Sequence, residues 1–134
     1  MLVDSFGRTH DYLRISLTDH CNFRCTYCMP QEEMEWMPQS KLMSKEEVLN
    51  LAETFIALGV KKIRLTGGEP LVRKEFPEIL EHLSSFPVEL TLTTNGVLIH
   101  KHIEVLKKAG VRSVNVSLDT LNREKFLKLT RRDQ

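Results

Sequence analysis

Hydrophobic and polar residues along the chain follow two periods, one typical of strands and one typical of helices. In the first stretch Leu13, Ile15 and Leu17 alternate with Arg14 and Ser16, which is the period of two expected for a strand with one buried face. Three more stretches with strand character follow, and helical patterns separate them. We therefore predict four strands, over residues 12–17, 60–66, 88–93 and 111–118.

The segments between and after the strands carry apolar residues at helical spacing. The first predicted helix begins with a capping box at residues 44–47, in which Ser44 is the N-cap and Glu47 bonds back to it, and it ends at Gly59. The other predicted helices lie within residues 76–83, 99–109 and 121–129. Strands that alternate with helices predict an α/β fold, a parallel sheet with right-handed crossovers built from four βα units.

Length and composition restrict the classes of protein that remain. A chain of 134 residues suits one domain, residues 1–134, and 41% hydrophobic with 28% charged residues is typical of a soluble globular protein. The net charge of +1 predicts neither a nucleic-acid partner nor a membrane-surface partner. No apolar run reaches the length of a membrane span or a signal sequence.

All three cysteines of the chain, Cys21, Cys25 and Cys28, lie within eight residues directly after the first predicted strand. A structural zinc site normally has four protein ligands from two such knuckles, and the sequence has no second knuckle. Thiolates hold iron–sulfur clusters, and three thiolates on a four-iron cluster would leave one iron open to another ligand. Buried apolar cysteines, or a zinc site completed by His10 or His20, are the alternatives. Such thiolates need a reducing compartment, so we expect a cytoplasmic protein.

Unusual short motifs occur where each predicted strand ends. The cysteine loop follows the first strand, Gly-Gly-Glu-Pro at 67–70 follows the second, Thr-Asn-Gly at 94–96 follows the third and Ser-Leu-Asp at 117–119 ends the fourth. In parallel α/β folds the ligand site lies at the carboxyl ends of the strands. The two glycines permit a close backbone approach to a ligand, and Glu69 adds a carboxylate nearby.

Arg14 and Arg64 lie on different strands and point away from their apolar neighbours. Two arginines that converge inside a barrel indicate a phosphorylated substrate, and the alternative is a pair of solvated arginines. Thr93 and Ser117 offer hydroxyl groups at strand ends, although such residues are usually local caps. We expect Arg73 to be surface charge.

The Cys-x-x-x-Cys-x-x-Cys loop after an apolar strand resembles the cluster loop of the radical S-adenosylmethionine (SAM) enzymes. The Gly-Gly-Glu-Pro motif resembles the one with which those enzymes receive the amino group of SAM. In that superfamily three cysteines hold a [4Fe–4S] cluster, SAM binds the fourth iron, and one electron cleaves SAM to a 5′-deoxyadenosyl radical. The resemblance implies the first four units of an incomplete TIM-like barrel, with a [4Fe–4S] cluster and SAM as cofactors.

Longer strings narrow the resemblance to the GTP 3′,8-cyclases of molybdenum cofactor biosynthesis, which rearrange GTP in a SAM-dependent lyase reaction. These strings are residues 4–8, 13–18, 63–71, 93–96 and 114–119, with Met29 and Pro30 after the cysteine loop. Carried over by position, the resemblance implies three sets of site residues. They are Cys21, Cys25 and Cys28 for the cluster; Tyr27, Gly68 and Ser117 for SAM; and Arg14, Arg64 and Thr93 for GTP.

Members of that subfamily are well over twice as long as this chain and carry further strands and a second three-cysteine cluster. We therefore expect an N-terminal fragment that is inactive alone and that self-associates or depends on a missing C-terminal half. The implied partners are GTP and an electron donor to the cluster. Two alternatives remain: another radical SAM enzyme, such as one that modifies peptides, and a non-catalytic iron–sulfur-binding remnant. The first would share the cysteine loop and Gly-Gly-Glu-Pro but not the two arginines.

Overall fold

The computed structural model describes residues 1–22 and 38–131, without the side chain of Gln39. Within these residues four parallel strands form one sheet in the order β1-β2-β3-β4, which confirms the predicted α/β fold. The strands are β1 Tyr12–Ser16, β2 Lys62–Thr66, β3 Glu89–Thr94 and β4 Ser113–Val116. The last strand is half its predicted length, because the ladder to β3 includes only the residues from Ser113 to Val116.

In the described part of the chain, four α-helices connect and follow the strands. They are α1 Lys45–Ala57, α2 Phe76–Leu83, α3 Ile103–Lys108 and α4 Arg123–Thr130, with short 3-10 turns at Gln39–Lys41, Pro70–Val72 and Ile99–Lys101. The capping box of α1 is confirmed, because Glu47 N donates to Ser44 Oγ and Ser44 N donates to Glu47 Oε2. The predicted third helix is divided at His102 into a 3-10 turn and α3. No helix among the described residues is long and apolar enough to cross a membrane.

The hydrophobic core lies on one face of the sheet. Ile63 and Leu65 of β2 and Leu90 and Leu92 of β3 are buried there together with side chains of α1, α2 and α3. The alternation in the sequence produces this face directly, since neighbouring strand residues point to opposite sides.

The opposite face of the sheet, here called the polar face, carries only polar side chains. The register places Arg14 opposite Arg64, Arg64 opposite Thr91 and Thr91 opposite Ser113. By the same alternation its members are Tyr12, Arg14, Ser16, Lys62, Arg64, Thr66, Glu89, Thr91, Thr93, Ser113 and Asn115. The polar face and the loops at the carboxyl ends of the strands are therefore the candidate positions of a ligand site.

Candidate functional site

Backbone hydrogen bonds hold the loop after β2 against the segment that leads into the cysteine loop. Gly68 N donates to Thr18 O at 2.8 Å, and Glu69 N donates to His20 O at 2.7 Å. Cys21 follows His20 directly and is half-buried. The Gly-Gly-Glu-Pro loop is therefore part of the support of the cysteine loop.

The two glycines are required by this contact between the loops. A Cβ atom on Gly67 would lie 2.5 Å from Thr18 O, and one on Gly68 would collide with His20 O and lie 2.6 Å from Asp19 O. These neighbours are backbone atoms, which cannot move aside as a flexible side chain could. The sequence analysis attributed the two glycines to the close approach of a ligand. The structure shows that the backbone leading into the cysteine loop also approaches them too closely for a side chain.

Glu69 is 1% exposed, and its carboxylate is engaged by the protein itself. Oε1 accepts from the Thr94 hydroxyl at 2.6 Å and from Leu71 N at 3.2 Å, and Oε2 accepts from Asn95 N at 2.7 Å. A buried carboxylate is stabilised by such donors. Glu69 therefore fastens the loop after β2 to the carboxyl end of β3.

Asn95 extends the same connection to the cysteine loop. Its side-chain Nδ2 donates to Oδ1 of Asn22, and its Oδ1 accepts from Val97 N at 3.1 Å. Asn22 stands next to Cys21 in the sequence. Glu69, Thr94, Asn95 and Asn22 thus form a chain of contacts, here called the loop latch, that joins the loops after β1, β2 and β3. The sequence indicated the Thr-Asn-Gly motif but gave no role to Asn22 or Asn95.

The structure describes Cys21 of the three predicted cluster ligands. Cys21 lies at the carboxyl end of β1 beside the loop latch, whereas Cys25, Cys28 and Tyr27 lie outside the described residues. Within residues 1–22 and 38–131 no three metal-ligating side chains come together. A sulfur donor at the position of Cys21, on a loop braced from two sides, fits one ligand of an iron–sulfur cluster.

Arg73 is not the surface charge expected from the sequence, and that prediction is wrong. Its side chain is 9% exposed. Nη1 donates to Leu17 O at 2.8 Å and Nη2 donates to Met43 O at 2.7 Å. One carbonyl lies just beyond β1 and the other just before α1, so the guanidinium links the ends of these two elements. Arg73 therefore helps to fix the start of the cysteine loop.

Arg64 of the polar face is a buried cation, only 8% exposed. Nε donates to the Tyr12 hydroxyl at 2.6 Å, and Nη1 donates to Thr93 Oγ1 at 3.1 Å and to Leu92 O at 3.3 Å. No carboxylate of the described residues lies within 4.0 Å of its guanidinium. The structure therefore brings Arg64 and Thr93 together as a pair, with Tyr12 as an unforeseen third member.

The remaining predicted site residues lie on the same face or at the same edge of the sheet. Arg14 is exposed on β1, directly opposite Arg64, and forms no ion pair with any residue that the structure describes. Ser117 is exposed beyond β4, where its N donates to Thr94 O at 2.9 Å. Gly68 and Ser117 thus lie at the carboxyl edge, and Arg14, Arg64 and Thr93 lie on the polar face.

Comparison with known proteins gives matches over nearly the whole chain. The model of the Radical SAM superfamily matches residues 15–134. A mitochondrial GTP 3′,8-cyclase of Arabidopsis thaliana is 54% identical, and a GTP 3′,8-cyclase of Listeria welshimeri is 46% identical; each alignment covers 98% of this chain. The chain spans 34% of the plant protein and 40% of the bacterial one.

A solved structure supports the fold independently. SuiB of Streptococcus suis, bound to the precursor peptide SuiA, superposes with a TM-score of 0.76 at 22% identity, over 92% of this chain and 27% of SuiB. At that identity the likeness concerns the fold alone. The β1–β4 sheet and its helices therefore have the arrangement found in that larger protein.

Proposed function

The chain belongs to the radical SAM superfamily, and we propose that it forms the amino-terminal part of a GTP 3′,8-cyclase of molybdenum cofactor biosynthesis. The names of its relatives support the proposal, and so does the polar face, which suits a polyanionic substrate. Because the chain spans less than half of these relatives, turnover of GTP is proposed for the assembled enzyme and not for these residues alone.

The superfamily implies a [4Fe–4S] cluster and SAM as cofactors. We assign Cys21, Cys25 and Cys28 to the cluster, and Tyr27, Gly68 and Ser117 to SAM. The cluster, when bound, supplies the electron that cleaves SAM. The chain's own residues position the cysteine loop. The loop latch and Arg73 hold the segment that leads into it, and Gly67 and Gly68 allow the loop after β2 to pack against that segment.

The observation that carries the choice of GTP is the buried guanidinium of Arg64. Burying a charge is costly unless an opposite charge compensates it, and the described residues provide no carboxylate within 4.0 Å of Arg64. Arg14 adds a second positive charge on the neighbouring strand. A triphosphate supplies the missing negative charge through charge-assisted hydrogen bonds. Arg14, Arg64 and Thr93 are therefore the proposed GTP-binding residues.

The proposal extends to the surroundings of the chain. Val116, Leu118 and Leu121 are large apolar side chains exposed at the β4 side, with Leu121 93% exposed. Further strands and helices, or a second copy of the chain, would cover them. We therefore treat residues 1–134 as one part of a radical SAM core that needs such a complement and an external electron donor. The reducing conditions that the thiolates need favour the cytoplasm.

A chimera tests the proposed function. The matching segment of the Listeria welshimeri cyclase is replaced by this chain, the protein is reconstituted anaerobically with iron and sulfide, and conversion of GTP is measured with SAM and a reductant. Arg64→Ala should raise the KM for GTP, because a hydrogen bond to a charged group contributes about 1.5–3 kcal/mol, or about 10- to 150-fold.

The matched control is Arg112→Ala, since Arg112 is an exposed arginine immediately before β4. Iron content and circular dichroism establish that each protein is loaded and folded. A loaded, folded chimera that leaves GTP unchanged, or equal KM values for Arg64→Ala and Arg112→Ala, would refute the proposal.

A further inference from the structure

We propose that Tyr12 is a phosphate-binding residue that shares one phosphate oxygen with Arg64 and also holds the Arg64 guanidinium in place. The inference rests on the proposed function, because it takes the triphosphate of GTP as the ligand of the polar face. Neither the sequence motifs nor the resemblance to the cyclases assigned a role to Tyr12.

Arg64 uses only three of its hydrogen-bond donors on described residues. A guanidinium has five N–H donors in a fixed plane. Nε uses its single hydrogen on the Tyr12 hydroxyl, and Nη1 uses its two on Leu92 O and Thr93 Oγ1. The two hydrogens of Nη2 form no hydrogen bond with any described residue. Three hydrogen bonds therefore hold the side chain in place, and Nη2 remains available to a ligand.

The contact with Arg64 restricts where the Tyr12 hydroxyl can direct its proton. Its oxygen accepts the Nε–H of Arg64 at 2.6 Å, so its own proton must point elsewhere. The hydroxyl forms no other hydrogen bond within residues 1–22 and 38–131. The O–H of Tyr12 and the N–H groups of Arg64 Nη2 are thus neighbouring donors that form no hydrogen bond with described residues. No carboxylate of the described residues lies within 4.0 Å of the Arg64 guanidinium.

The planar guanidinium of Arg64 determines where a phosphate oxygen would lie. Nε–H and one Nη2–H point in parallel toward the same side, which is how arginine holds two oxygens at once. The Tyr12 oxygen occupies the Nε position of the fork. A phosphate oxygen on the Nη2 position would lie beside the Tyr12 hydroxyl and would accept its proton in a hydrogen bond. A closed ring of three hydrogen bonds results, in which each bond polarises the next.

Neighbouring charge favours the same ligand. Lys62 lies 5.3 Å from the centre of the Tyr12 ring, and Arg14 is the direct neighbour of Arg64 across the β1–β2 ladder. Glu89, which lies 3.6 Å from Lys62 Nζ, offsets part of that charge. Tyr12 is 43% exposed, so its side chain is accessible from solvent.

The test uses the cyclase chimera, in which the rest of the relative completes the core, with inorganic triphosphate as the probe and affinity measured by isothermal titration calorimetry. Tyr12→Phe removes only the hydroxyl, and we expect binding to weaken about tenfold, which corresponds to about 1.4 kcal/mol. Arg64→Ala should weaken binding at least as much. The double variant should be weaker than Arg64→Ala alone by less than tenfold, because both residues act on one oxygen and their effects are not additive. Thr54→Val, which removes a hydroxyl from an exposed position of α1, should bind like the wild type.

A second readout separates binding from folding. In the cyclase chimera, Tyr12→Phe should raise the KM for GTP about tenfold while kcat stays within about twofold, since the tyrosine is absent from the reacting end of the substrate. Far-UV circular dichroism should match the wild type.

The outcomes distinguish the role of Tyr12 from the existence of the anion site. Equal affinities of wild type and Tyr12→Phe, together with weaker binding by Arg64→Ala, would overturn the role of Tyr12 and leave the anion site intact. Failure of the wild-type chimera to bind triphosphate, or unchanged binding by Arg64→Ala, would overturn the anion site and with it the proposed use of the polar face.

Discussion

The loop latch can be tested by replacing its buried carboxylate with an amide of the same shape. In Glu69→Gln the single carbonyl oxygen can face either Thr94 and Leu71 or Asn95, but not all three donors. In either orientation the amide NH₂ group faces a backbone N–H, so a buried donor is left unsatisfied. The substitution therefore removes hydrogen bonds without removing volume.

The magnitude follows from these contacts. A hydrogen bond to a charged group contributes about 1.5–3 kcal/mol, and a buried donor left without an acceptor costs about 1–3 kcal/mol. Because the effects overlap within one cluster, we expect Glu69→Gln to lower the free energy of unfolding by about 2–4 kcal/mol. With a urea dependence of about 2 kcal/mol per M, the unfolding midpoint should fall by about 1–2 M.

The assay is urea unfolding of the purified chain, followed by circular dichroism. The matched control is Glu53→Gln, since Glu53 is exposed on α1 and forms no ion pair with the described residues. The control should change the free energy of unfolding by less than about 0.5 kcal/mol. If the two variants unfold at the same urea concentration, Glu69 does not hold the loops together and the description of the latch is wrong.

Two further predictions concern the amino-terminal loop and the glycine contact. Hydrogen bonds, above all from the backbone N–H of Arg8, lower the pKa of Asp4 from 3.8 to about 2, so their stabilisation of the loop is complete above pH 3.8 and is lost as the pH falls toward 2. An NMR titration of the Asp4 carboxyl should show this, whereas a midpoint near 3.8 would contradict the hydrogen bonding. Gly68→Ala should reduce iron retention after reconstitution, because its Cβ collides with His20 O at the entry of the cysteine loop; a variant that retains iron like the wild type would contradict that contact.

The parts of the fold that depend on local pattern were predictable from the sequence. The capping box of α1 and the strand cores follow from residues close in the chain, and both are confirmed. Contacts between distant residues were not predictable. The hydrogen bond from Asn95 to Asn22 joins residues 73 positions apart, and Arg73 reaches Leu17 across 56 positions. A hydrophobic pattern carries no information on which polar groups meet at the sheet edge.

The candidate site shows the same division. Alternation along β1 and β2 was enough to place Arg14 and Arg64 on one face, and the register confirms that they are direct neighbours. The burial of Arg64 and its bond to Tyr12 depend on the sheet as a whole and came only from the structure. The roles of Cys25, Cys28 and Tyr27 stay predictions, because these residues lie outside the described part of the chain.

The most direct measurement of the central claim is anaerobic reconstitution of the chain with iron and sulfide, followed by iron analysis and EPR of the reduced protein with and without SAM. We predict about four irons per chain, as a single four-iron cluster requires, and a change in the EPR signal when SAM is added. Cys25→Ala should lose both, whereas Ser84→Ala, outside the strand-end loops, should lose neither. Iron and an EPR signal that survive in Cys25→Ala, or a wild-type EPR signal that SAM leaves unchanged, would contradict the claim that these loops form a radical SAM centre.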